Sequence, residues 1–575
     1  MKRKRWLQKM LGVGLAIALV AGSTPAFADP TYTEYGIYVQ KPASVAGDRF
    51  YHGAKFEPKT GSYLGIFAQG DRALNNDNAP AESGEWFLHT TERVLGRDHA
   101  TYLLYINYDQ GESLDHYASY MKEAKRIGAK GIQLGLEVAN ANAIQNDEKL
   151  HRQAKALQSY GIPIFLRFNS EFNLTDGSNG WQSWGPELYK EKFRIIADVM
   201  HQEAPNVVMC WCPNDWPIGS EVAWYPGDQY VDWVGVSSYP VFNANGTPQQ
   251  GNTWMDRFRE IYDRYGAKKP IFITEGAAMP NIEGTTDLSL KNVAAYEIQR
   301  FYAGAARRYP NLKMVVYWNH NEPGARMVHG VVTDVPELLQ AYKTAVSDPY
   351  YLSNVGAGSS YYYERVEKTT LSGKEKISSY VNDVHHRIDH VDYYVNGQYA
   401  AQAKFPSYEA TIDFTPWQGQ SIQLKADYWS EQGTLVTSKT VNVGGGNAGS
   451  SASSQTPSKQ EIPVYYNGKR IQLAYQPIIW NDYTYLPVRF VGEAVHANVD
   501  WDNATRTVIA KRGNNTLKFH PDAVEFEKNG MKQVANTPVI IRENRAFVPL
   551  RSLAEGLDLS IQWNNGERAV YISEK

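Results

Sequence analysis

Three features are scarce in this sequence of 575 residues, and each scarcity excludes a class of protein. Cysteine occurs only at Cys210 and Cys212, so the chain has no disulfide framework. Because residues i and i+2 of a strand point the same way, a bridge between these two would be strained. We interpret both as small buried core residues rather than as a redox or metal pair. Basic residues show no excess, since 58 Lys and Arg balance 61 Asp and Glu, which argues against a general nucleic-acid binder.

Long apolar runs are the third scarcity. One run, from Leu11 to Gly22, is too short to span a bilayer, and no later run is long enough. It follows a basic segment at 2–9 and precedes the small residues around Ala28. This is the pattern of a secretory signal peptide over residues 1–28. We therefore expect a secreted, extracellular protein, free in solution or associated with the cell wall, without a membrane span once the signal is removed.

Aromatic residues are abundant instead. The chain has 39 Tyr, 15 Trp and 19 Phe, which is 13% of its residues, within a hydrophobic share of 43%. That share is enough to bury several cores, and the length suits three or four domains. An aromatic excess is typical of proteins that bind sugars or aromatic ligands. Large cores and β-sandwich strands would also explain it, and composition leaves both explanations open.

From about residue 60 to 346, within a predicted domain of residues 29–346, short apolar runs alternate with amphipathic stretches of helical period. The runs with the length of buried strands lie at 63–68, 102–108, 131–137, 163–168, 206–212, 231–236, 270–274 and 312–318. Eight strands, each followed by a helix, predict a (β/α)8 barrel, also called a TIM barrel. A doubly wound sheet is the competitor. It usually carries a glycine-rich phosphate loop after its first strand, and this sequence has none there.

The pattern changes after the barrel. Residues 350–443 read as short alternating strands with turns, such as the strand Val391–Val395 followed by an Asn-Gly pair. This predicts an immunoglobulin-like β-sandwich. Residues 444–460 are rich in Gly, Ser and Ala, which predicts a flexible linker.

Residues 461–575 contain an internal repeat. The segment Leu486–Arg489 recurs 62 residues later as Val548–Arg551, and each copy predicts strands around a short helix, hence a small α+β repeat domain. The region resembles the copper amine oxidase N-terminal-like, or stalk, domain. Its only histidines are His496 and His520, well short of a copper site, so we expect a spacer or a cell-envelope contact and no metal.

Two barrel strands end in a carboxylate. The fourth runs into Glu171 and the seventh into Glu275. Barrel enzymes react at the carboxyl ends of their strands. Arg167, Asn169 and Glu171 share one face by the two-residue period, which a buried strand tolerates only beside a polar site. One terminal Glu could be an ordinary surface loop residue, but two of them favour a pair of catalytic carboxylates.

This arrangement resembles the clan A glycoside hydrolases, which carry an acid/base Glu on strand four and a nucleophile Glu on strand seven. The closer resemblance is to glycoside hydrolase family 26. It rests on the tryptophan-rich segment Gly180–Gly185, on Trp211–Asn214 (Trp-Cys-Pro-Asn) and on Tyr225–Asp228 (Tyr-Pro-Gly-Asp). Ser170 stands where this family usually has His and most of the clan has Asn, at a position that helps to orient sugar hydroxyls.

The resemblance implies the roles of the matched residues. Glu171 would be the general acid/base and Glu275 the nucleophile, with Tyr239 hydrogen-bonded to it. Glu137, which ends strand three, would bind a sugar hydroxyl or lie in a solvated loop, and Trp184 has core packing as an equal alternative. The residues expected to bind substrate, from the motifs or from their place after a strand, are Arg167, Asn169, Trp181, Trp184, Trp211, Asn214, Trp216, Tyr239, Trp318 and Glu137.

Together these features predict a secreted retaining endo-β-glycanase that needs no metal or organic cofactor. The expected partner is a polysaccharide, with β-1,4-mannan or mixed-linkage β-glucan as the best candidates. The alternative is a non-catalytic polysaccharide- or cell-wall-binding protein built on a glycosidase barrel. Two carboxyl groups about 5–5.5 Å apart in a cleft would favour the enzyme and a retaining mechanism.

Overall fold

The computed structural model describes residues of two compact units, Met1–Ser450 and Ser451–Lys575. The described ranges are 33–74, 86–174, 177, 179–249, 252–282, 285–321, 330–445, 463–471, 478–480, 483–487, 495–502, 505, 507–520, 525–534, 539–542, 545–564 and 569–574. The expected signal peptide and nearly all of the expected linker lie outside these ranges. None of the helices within them is long and apolar enough to cross a membrane.

The first unit contains a closed barrel of eight parallel strands. Strand β1 (Glu34–Pro42) lies outside it. The barrel strands follow in chain order and are β2 (Ser62–Phe67), β3 (Thr101–Asn107), β4 (Gly131–Glu137), β5 (Ile164–Phe168), β6 (Val207–Trp211), β7 (Trp233–Ser237), β8 (Ile271–Gly276) and β9 (Leu312–Trp318). Each strand pairs with the next, and β2 pairs with β9 to close the ring. The (β/α)8 prediction is confirmed, and its strand limits differ from the observed ones by at most two residues.

Helices cover the outside of the barrel. They are α1 (Phe87–Leu95), α2 (Ala118–Ile127), α3 (Glu148–Tyr160), α4 (Gly185–Glu203), α5 (Trp254–Arg257), α6 (Arg259–Tyr265), α7 (Lys291–Arg308) and α8 (Pro336–Val346). Local chemistry sets their limits, as α3 shows. The Asp147 side chain accepts the backbone N–H of Leu150 at 2.9 Å, and Gly161 ends the helix in the left-handed region at φ 67°. Because helices cover the sheet and side chains fill its interior, most barrel strands are buried along their whole length.

A β-sandwich completes the first unit. Short β10 (Tyr351–Leu352) pairs with β2, and the sandwich strands are β11 (Tyr361–Arg365), β12 (Thr370–Leu371), β13 (Lys374–Asn382), β14 (Ile388–Val395), β15 (Gln398–Lys404), β16 (Ala410–Asp413), β17 (Ile422–Ser430) and β18 (Leu435–Gly445). One sheet has the order β11-β1-β13-β16 and the other β12-β18-β17-β14-β15. Both contribute alternating residues to one core, for example Ile37, Ile377, Val391 and Leu424.

The sandwich shows where the predicted domain limits are wrong. Strand β1, which we assigned to the barrel domain of residues 29–346, lies between β11 and β13 in the sandwich. Sequence pattern predicts that a strand exists, but not a partner more than 300 residues away. The sandwich therefore takes one central strand from the opposite end of the unit.

Buried charges join the barrel to the sandwich. Arg307 on α7 is 2% exposed, donates to Ser378 Oγ on β13 at 2.9 Å and lies 4.2 Å from the centre of the Tyr363 ring on β11. Thr253, which precedes α5, donates to Asn382 Oδ1 at 2.8 Å. Because a buried guanidinium needs partners, the barrel and sandwich depend on each other for stability.

The second unit has the predicted repeat. Its elements are β19 (Val464–Tyr466), β20 (Lys469–Ile471), β21 (Ile478–Trp480), β22 (Tyr483–Pro487), β23 (Asn498–Asp502), β24 (Thr507–Arg512), β25 (Asn515–Phe519), β26 (Glu525–Lys528), β27 (Met531–Val534), β28 (Ile540–Arg542), β29 (Arg545–Pro549), α9 (Leu550–Gly556), β30 (Leu559–Asn564) and β31 (Ala569–Glu574). Leu486 on β22 pairs with Val548 on β29, its own equivalent in the repeat, so the two copies meet through equivalent antiparallel strands.

Candidate active site

The carboxylate of Glu275 lies at the carboxyl end of the barrel and accepts several hydrogen bonds there. It ends the apolar part of β8 and is 8% exposed. Tyr105 from β3 and Arg167 from β5 both donate to its Oε1, and Tyr239 donates to its Oε2 at 3.1 Å. Three donors from three different strands or strand ends fix both oxygens. This leaves the carboxylate rigid and oriented, as a nucleophile requires.

Arg167 links the Glu275 carboxylate to the strand that carries Glu171. The guanidinium is fully buried, and besides Glu275 it donates to Ser170 Oγ at 3.1 Å and to the Thr274 carbonyl at 3.4 Å. A buried cation is stable only when paired and hydrogen-bonded. Arg167 therefore acts through Glu275, and the Ser170 hydroxyl, the departure from the family pattern, is one of its hydrogen-bond partners.

Glu171 lies just beyond β5 on a left-handed backbone, with φ 59°. Its N–H donates to the Cys212 carbonyl at 2.9 Å, and its Oε1 accepts from Asn214 Nδ2 at 2.9 Å. Burial and then the negative charge of Glu275 raise the pKa of Glu171 to about 7, although the Asn214 hydrogen bond opposes the rise. A carboxyl group that keeps its proton near neutral pH can act as a general acid.

Glu137 ends β4 and adds a third carboxyl group to this cluster. It is partly buried, and burial followed by the charge of Glu275 raises its pKa to about 7. As the last residue of β4, and partly buried, Glu137 is not a solvated loop residue, and its binding of a sugar hydroxyl stays a prediction. Glu137 is thus close enough to Glu275 and Glu171 to interact with both charges.

Asn169 does not have the place that we expected for a substrate-binding residue. It is fully buried, its Oδ1 accepts from the Val138 N–H at 2.8 Å and its Nδ2 donates to the Val138 carbonyl at 2.9 Å. Both amide atoms are occupied, so the prediction of substrate binding is wrong. The side chain instead ties the end of β5 to the end of β4, where Glu171 and Glu137 lie.

The tryptophans divide into two groups. Trp181 and Trp211 are 7% and 0% exposed. Trp181 donates its indole N–H to the Ser170 carbonyl at 2.9 Å, and Trp211 packs on Phe172 with ring centroids 5.3 Å apart. Trp211 is fully buried, so its expected role in sugar binding is wrong, whereas sugar binding by Trp181 stays a prediction. Trp184 is partly exposed and Trp216 is 42% exposed, so both keep ring surface for a ligand.

Trp318 lies on the side of the barrel where Glu275 is held. Its ring stacks on Phe67 with centroids 4.3 Å apart and meets the edge of Tyr105 at 6.1 Å. It is 9% exposed, so only an edge or a small part of a face is open to solvent. The aromatic group of Trp318, Phe67 and Tyr105 borders the Glu275 carboxylate through the Tyr105 hydroxyl.

Tyr105 is the main residue that sequence reasoning missed. Burial and then the charge of Glu275 raise its pKa well above the usual value, so its hydroxyl remains a donor. A signal existed on the neighbouring strand. Gly135 pairs with Tyr105, and a Cβ at Gly135 would lie 2.5 Å from the Tyr105 ring, so this glycine leaves the space that the ring occupies.

The cysteines agree with their interpretation as core residues. Both are buried and unbridged, and burial raises the pKa of Cys212 to about 12. In the parts of the chain that the structure describes, no group of three or more His, Cys, Asp or Glu side chains could hold a metal ion.

Two family models match parts of the chain. Residues 135–291 match the model of glycosyl hydrolase family 26, and residues 465–572 match that of the copper amine oxidase N-terminal domain. Both resemblances inferred from the sequence motifs, that of the barrel to glycosyl hydrolase family 26 and that of the C-terminal region to the copper amine oxidase N-terminal domain, are therefore confirmed by the family models.

Individual relatives cover parts of the chain. Endoglucanase H of Acetivibrio thermocellus is 27% identical over 243 residues, which is 39% of this chain and 23% of the relative. Beta-1,3-xylanase TXYA of a Vibrio species is 30% identical over 155 residues, or 26% of this chain and 30% of the relative. The chain thus spans less than a third of the length of these relatives. Among solved structures, a Cellulomonas fimi endo-beta-1,4-mannanase double mutant is 16% identical, with 67% of this chain and 94% of that chain covered and a TM-score of 0.37.

Proposed function

We propose that the chain is a secreted endo-β-glycanase that cleaves its polysaccharide with retention of anomeric configuration. The observation that carries the proposal is the contrast between two carboxyl groups. Glu275 is fixed by Arg167, Tyr105 and Tyr239, whereas the pKa of Glu171 is raised to about 7. In a glycosidase, the different environments of two carboxyl groups keep one ionised as the nucleophile and the other protonated as the acid.

The reaction proceeds in two steps on these groups. Glu275 attacks the anomeric carbon while the protonated Glu171 gives its proton to the glycosidic oxygen, so the leaving sugar departs as an alcohol and a glycosyl–Glu275 ester forms. Glu171, now ionised, takes a proton from water, and the water oxygen displaces Glu275 from the sugar. Asn214 stabilises the ionised form of Glu171 in the interval between the steps.

The proposed substrate is mixed-linkage β-glucan or β-1,4-mannan. The similarity to a protein named as an endoglucanase favours the glucan. Similarity to a β-1,3-xylanase adds β-1,3-xylan to the substrates that need testing. The basic and apolar pattern of residues 1–28 supports secretion, and contact with the cell envelope through residues 461–575 remains a proposal.

The alternative is a polysaccharide-binding protein without turnover. Its motivation is Ser170 in place of the family's histidine, together with the additional domains. A pure binding site has no need for a carboxyl group with a pKa of about 7 beside a second, fully held carboxylate. The charge arrangement therefore supports the enzyme.

A hydrolysis assay tests the proposal. The full chain is incubated with lichenan, galactomannan and β-1,3-xylan, and new reducing ends are measured. We expect release from at least one polysaccharide, and a loss of at least 1,000-fold for Glu275→Ala, because the covalent step is then impossible. Glu187→Ala is the matched control, since that side chain is 87% exposed on α4.

Two results would overturn the proposal. One is the absence of hydrolysis by the parent chain on all three substrates while it still binds one of them, which would establish the binding-protein alternative. The other is parent-like activity in Glu275→Ala with an unchanged circular dichroism spectrum.

A further inference from the structure

Aromatic side chains project from the outer surface of the larger sandwich sheet, which is the surface that faces away from the sandwich core. Side chains alternate between the two surfaces of a strand, and on β14 Tyr393 and Val395 are fully buried while Tyr394 between them is partly exposed. Tyr399 on β15 is 61% exposed, and Trp429 on β17 is partly exposed. We call Tyr394, Tyr399 and Trp429 the outer aromatic residues. One exposed ring would be ordinary, but three on adjacent strands form a candidate binding surface.

The outer aromatic residues occupy two positions along the sheet. Tyr394 pairs with Tyr399 across the strands, and their ring centroids are 5.8 Å apart with the planes at 79°. Trp429 pairs with His390, and these rings stack with centroids 6.1 Å apart and planes at 11°. Because Tyr394 and His390 are four residues apart on β14, the two positions are separated by roughly 13 Å, at about 3.3 Å per residue. A ligand that contacts both positions must therefore be longer than a single ring.

Polar side chains lie between the two aromatic positions, where Asp392 on β14 is directly opposite Asp427 on β17. The Asp392 carboxylate accepts from Gln402 Nε2 at 3.0 Å. The Asp427 carboxylate accepts from Lys425 Nζ at 2.8 Å and from the Ser438 hydroxyl. Two like charges directly opposite each other destabilise a sheet. Sheet stability therefore does not explain this pair, which places oriented hydrogen-bonding groups between the rings.

The charges of this outer surface nearly offset each other. Two lysines against three aspartates leave a net charge of −1 with His390 neutral; they are Lys404, Lys425, Asp389, Asp392 and Asp427. A surface without a strong field favours a neutral ligand. A second copy of this chain is a poor fit, because the centres of protein interfaces are depleted of charged residues and here charges lie between the rings. A neutral polysaccharide fits both features, since its C–H faces pack on rings and its hydroxyls bond to carboxylates and amides.

The sandwich end that carries His390 and Trp429 is attached to α7 close to the start of that helix. The Tyr296 ring on α7 stacks on Phe405 with centroids 4.4 Å apart, and the Tyr296 hydroxyl accepts the Ile388 N–H at 3.3 Å. Ile388 begins β14, two residues before His390. Because α7 follows β8, the start of α7 lies at the carboxyl end of the barrel, as the proposed site does. One end of the outer surface therefore lies on the reactive side of the barrel.

We propose that the outer surface of the sandwich binds a neutral polysaccharide, which is the polymer that the barrel cleaves. This inference rests on the proposed function. The C–H faces of the sugars pack on the outer aromatic residues, and their hydroxyls bond to Asp392 and Gln402. A polymer held here is at a high effective concentration for the barrel cleft, because both surfaces belong to one compact unit. The gain applies only to chains long enough to reach the cleft and the sandwich together.

The ratio of activity on a polymer to activity on a short oligosaccharide tests the inference. For each variant, kcat/KM is measured on lichenan, galactomannan and β-1,3-xylan and on the tetrasaccharide of the same glycan. The polymer value is then divided by the tetrasaccharide value. Because both substrates are cut in the same cleft, a change in the amount of active enzyme cancels in this ratio.

We expect Tyr394→Ala combined with Trp429→Ala to lower the ratio about tenfold on the best polymer, with the tetrasaccharide activity unchanged. Tyr399→Ala should lower the ratio in the same direction, and Tyr399→Phe should keep the parent ratio because the ring remains. Tyr51→Ala is the matched control, since Tyr51 is a partly exposed tyrosine that precedes β2. It should leave the ratio unchanged.

Hydroxyl-radical labelling of the full Glu275→Ala chain locates the polymer without turnover. Mass spectrometry of the peptides that contain the outer aromatic residues should show at least twofold less labelling with the polymer than with the tetrasaccharide. Labelling of Tyr51 should be the same with both.

The outcomes separate this inference from the proposed function. If the parent cleaves a polymer but the double variant keeps the parent ratio within twofold, the inference is wrong and the proposed function stands. The same holds if the cleaved polymer leaves the labelling of the outer aromatic residues unchanged. If the parent cleaves none of the three polysaccharides, the proposed function fails and the inference with it.

Discussion

Replacing Asn214 by Ala should move the alkaline limit of activity to higher pH. Asn214 Nδ2 donates to Glu171 Oε1 at 2.9 Å, and this bond favours the ionised carboxylate. The proposed acid works only when protonated, so kcat/KM should fall as pH rises through the pKa of Glu171, which is about 7. Without the Asn214 donor, Glu171 should keep its proton to a higher pH. Its transfer of that proton to the glycosidic oxygen is then less favourable, because the carboxylate that forms is less stabilised.

The size of the shift follows from the hydrogen bond. A hydrogen bond to a charged group contributes roughly 1.5–3 kcal/mol, and water partly replaces it because Glu171 is only partly buried. A net loss of about 1.4 kcal/mol corresponds to about one pH unit. The alkaline midpoint of kcat/KM, measured on the best substrate between pH 5 and pH 10, should therefore rise from about 7 to about 8.

Glu137 is the necessary control for this experiment, because its pKa is also raised to about 7. Glu137→Gln should retain an alkaline limit, since Glu171 still titrates. If Glu137→Gln abolishes that limit, Glu137 and not Glu171 controls it. An alkaline midpoint that stays in place or falls in Asn214→Ala would refute the reasoning about Glu171.

Two further predictions concern Tyr105 and the domain limits. Tyr105→Phe removes a hydrogen-bond donor to the Glu275 carboxylate and should lower kcat/KM by roughly 10- to 150-fold. The control is Tyr399→Phe, at a tyrosine that is 61% exposed. A loss below threefold for Tyr105→Phe would contradict the role of Tyr105 in holding Glu275. A chain ending at residue 445 should keep its activity on oligosaccharides, because the proposed site residues all precede residue 319. A chain ending at 346 should fail to fold, because Arg307 then lacks Ser378 and strand β1 lacks its partners. Thermal unfolding and activity of the purified chains test this, and a stable, active chain ending at 346 would contradict it.

Sequence patterns were sufficient to predict the barrel, because each of its strands can be recognised from the residues of that strand alone. Each barrel strand is an apolar run of the right length, and the strand ends carry Glu171 and Glu275 directly. The same patterns could not assign β1, whose partners on β11 and β13 are distant in the chain. Periodicity predicts a strand from its own residues, but pairing depends on residues that the strand does not contain.

Side-chain roles were harder to predict than positions. Asn169 lies at the expected strand end, yet both of its amide atoms bind the Val138 backbone. Trp181 and Trp211 follow the right strands, yet their rings are buried, while Trp216 is exposed. Residue type and spacing indicate which loop a side chain occupies. Whether it faces the site or the core depends on packing against segments such as α4, which sequence pattern alone does not resolve.

The most direct test of the account is to trap the sugar on the proposed nucleophile. A 2-deoxy-2-fluoro glycoside of the hydrolysed sugar with a dinitrophenolate leaving group slows the second step more than the first, so the ester accumulates. After digestion, the peptide that contains Ile271–Gly276 should gain the mass of the fluorosugar, with the label on Glu275. Label on Glu171 or Glu137, or steady hydrolysis that leaves no labelled peptide, would contradict the assignment of Glu275 as the nucleophile.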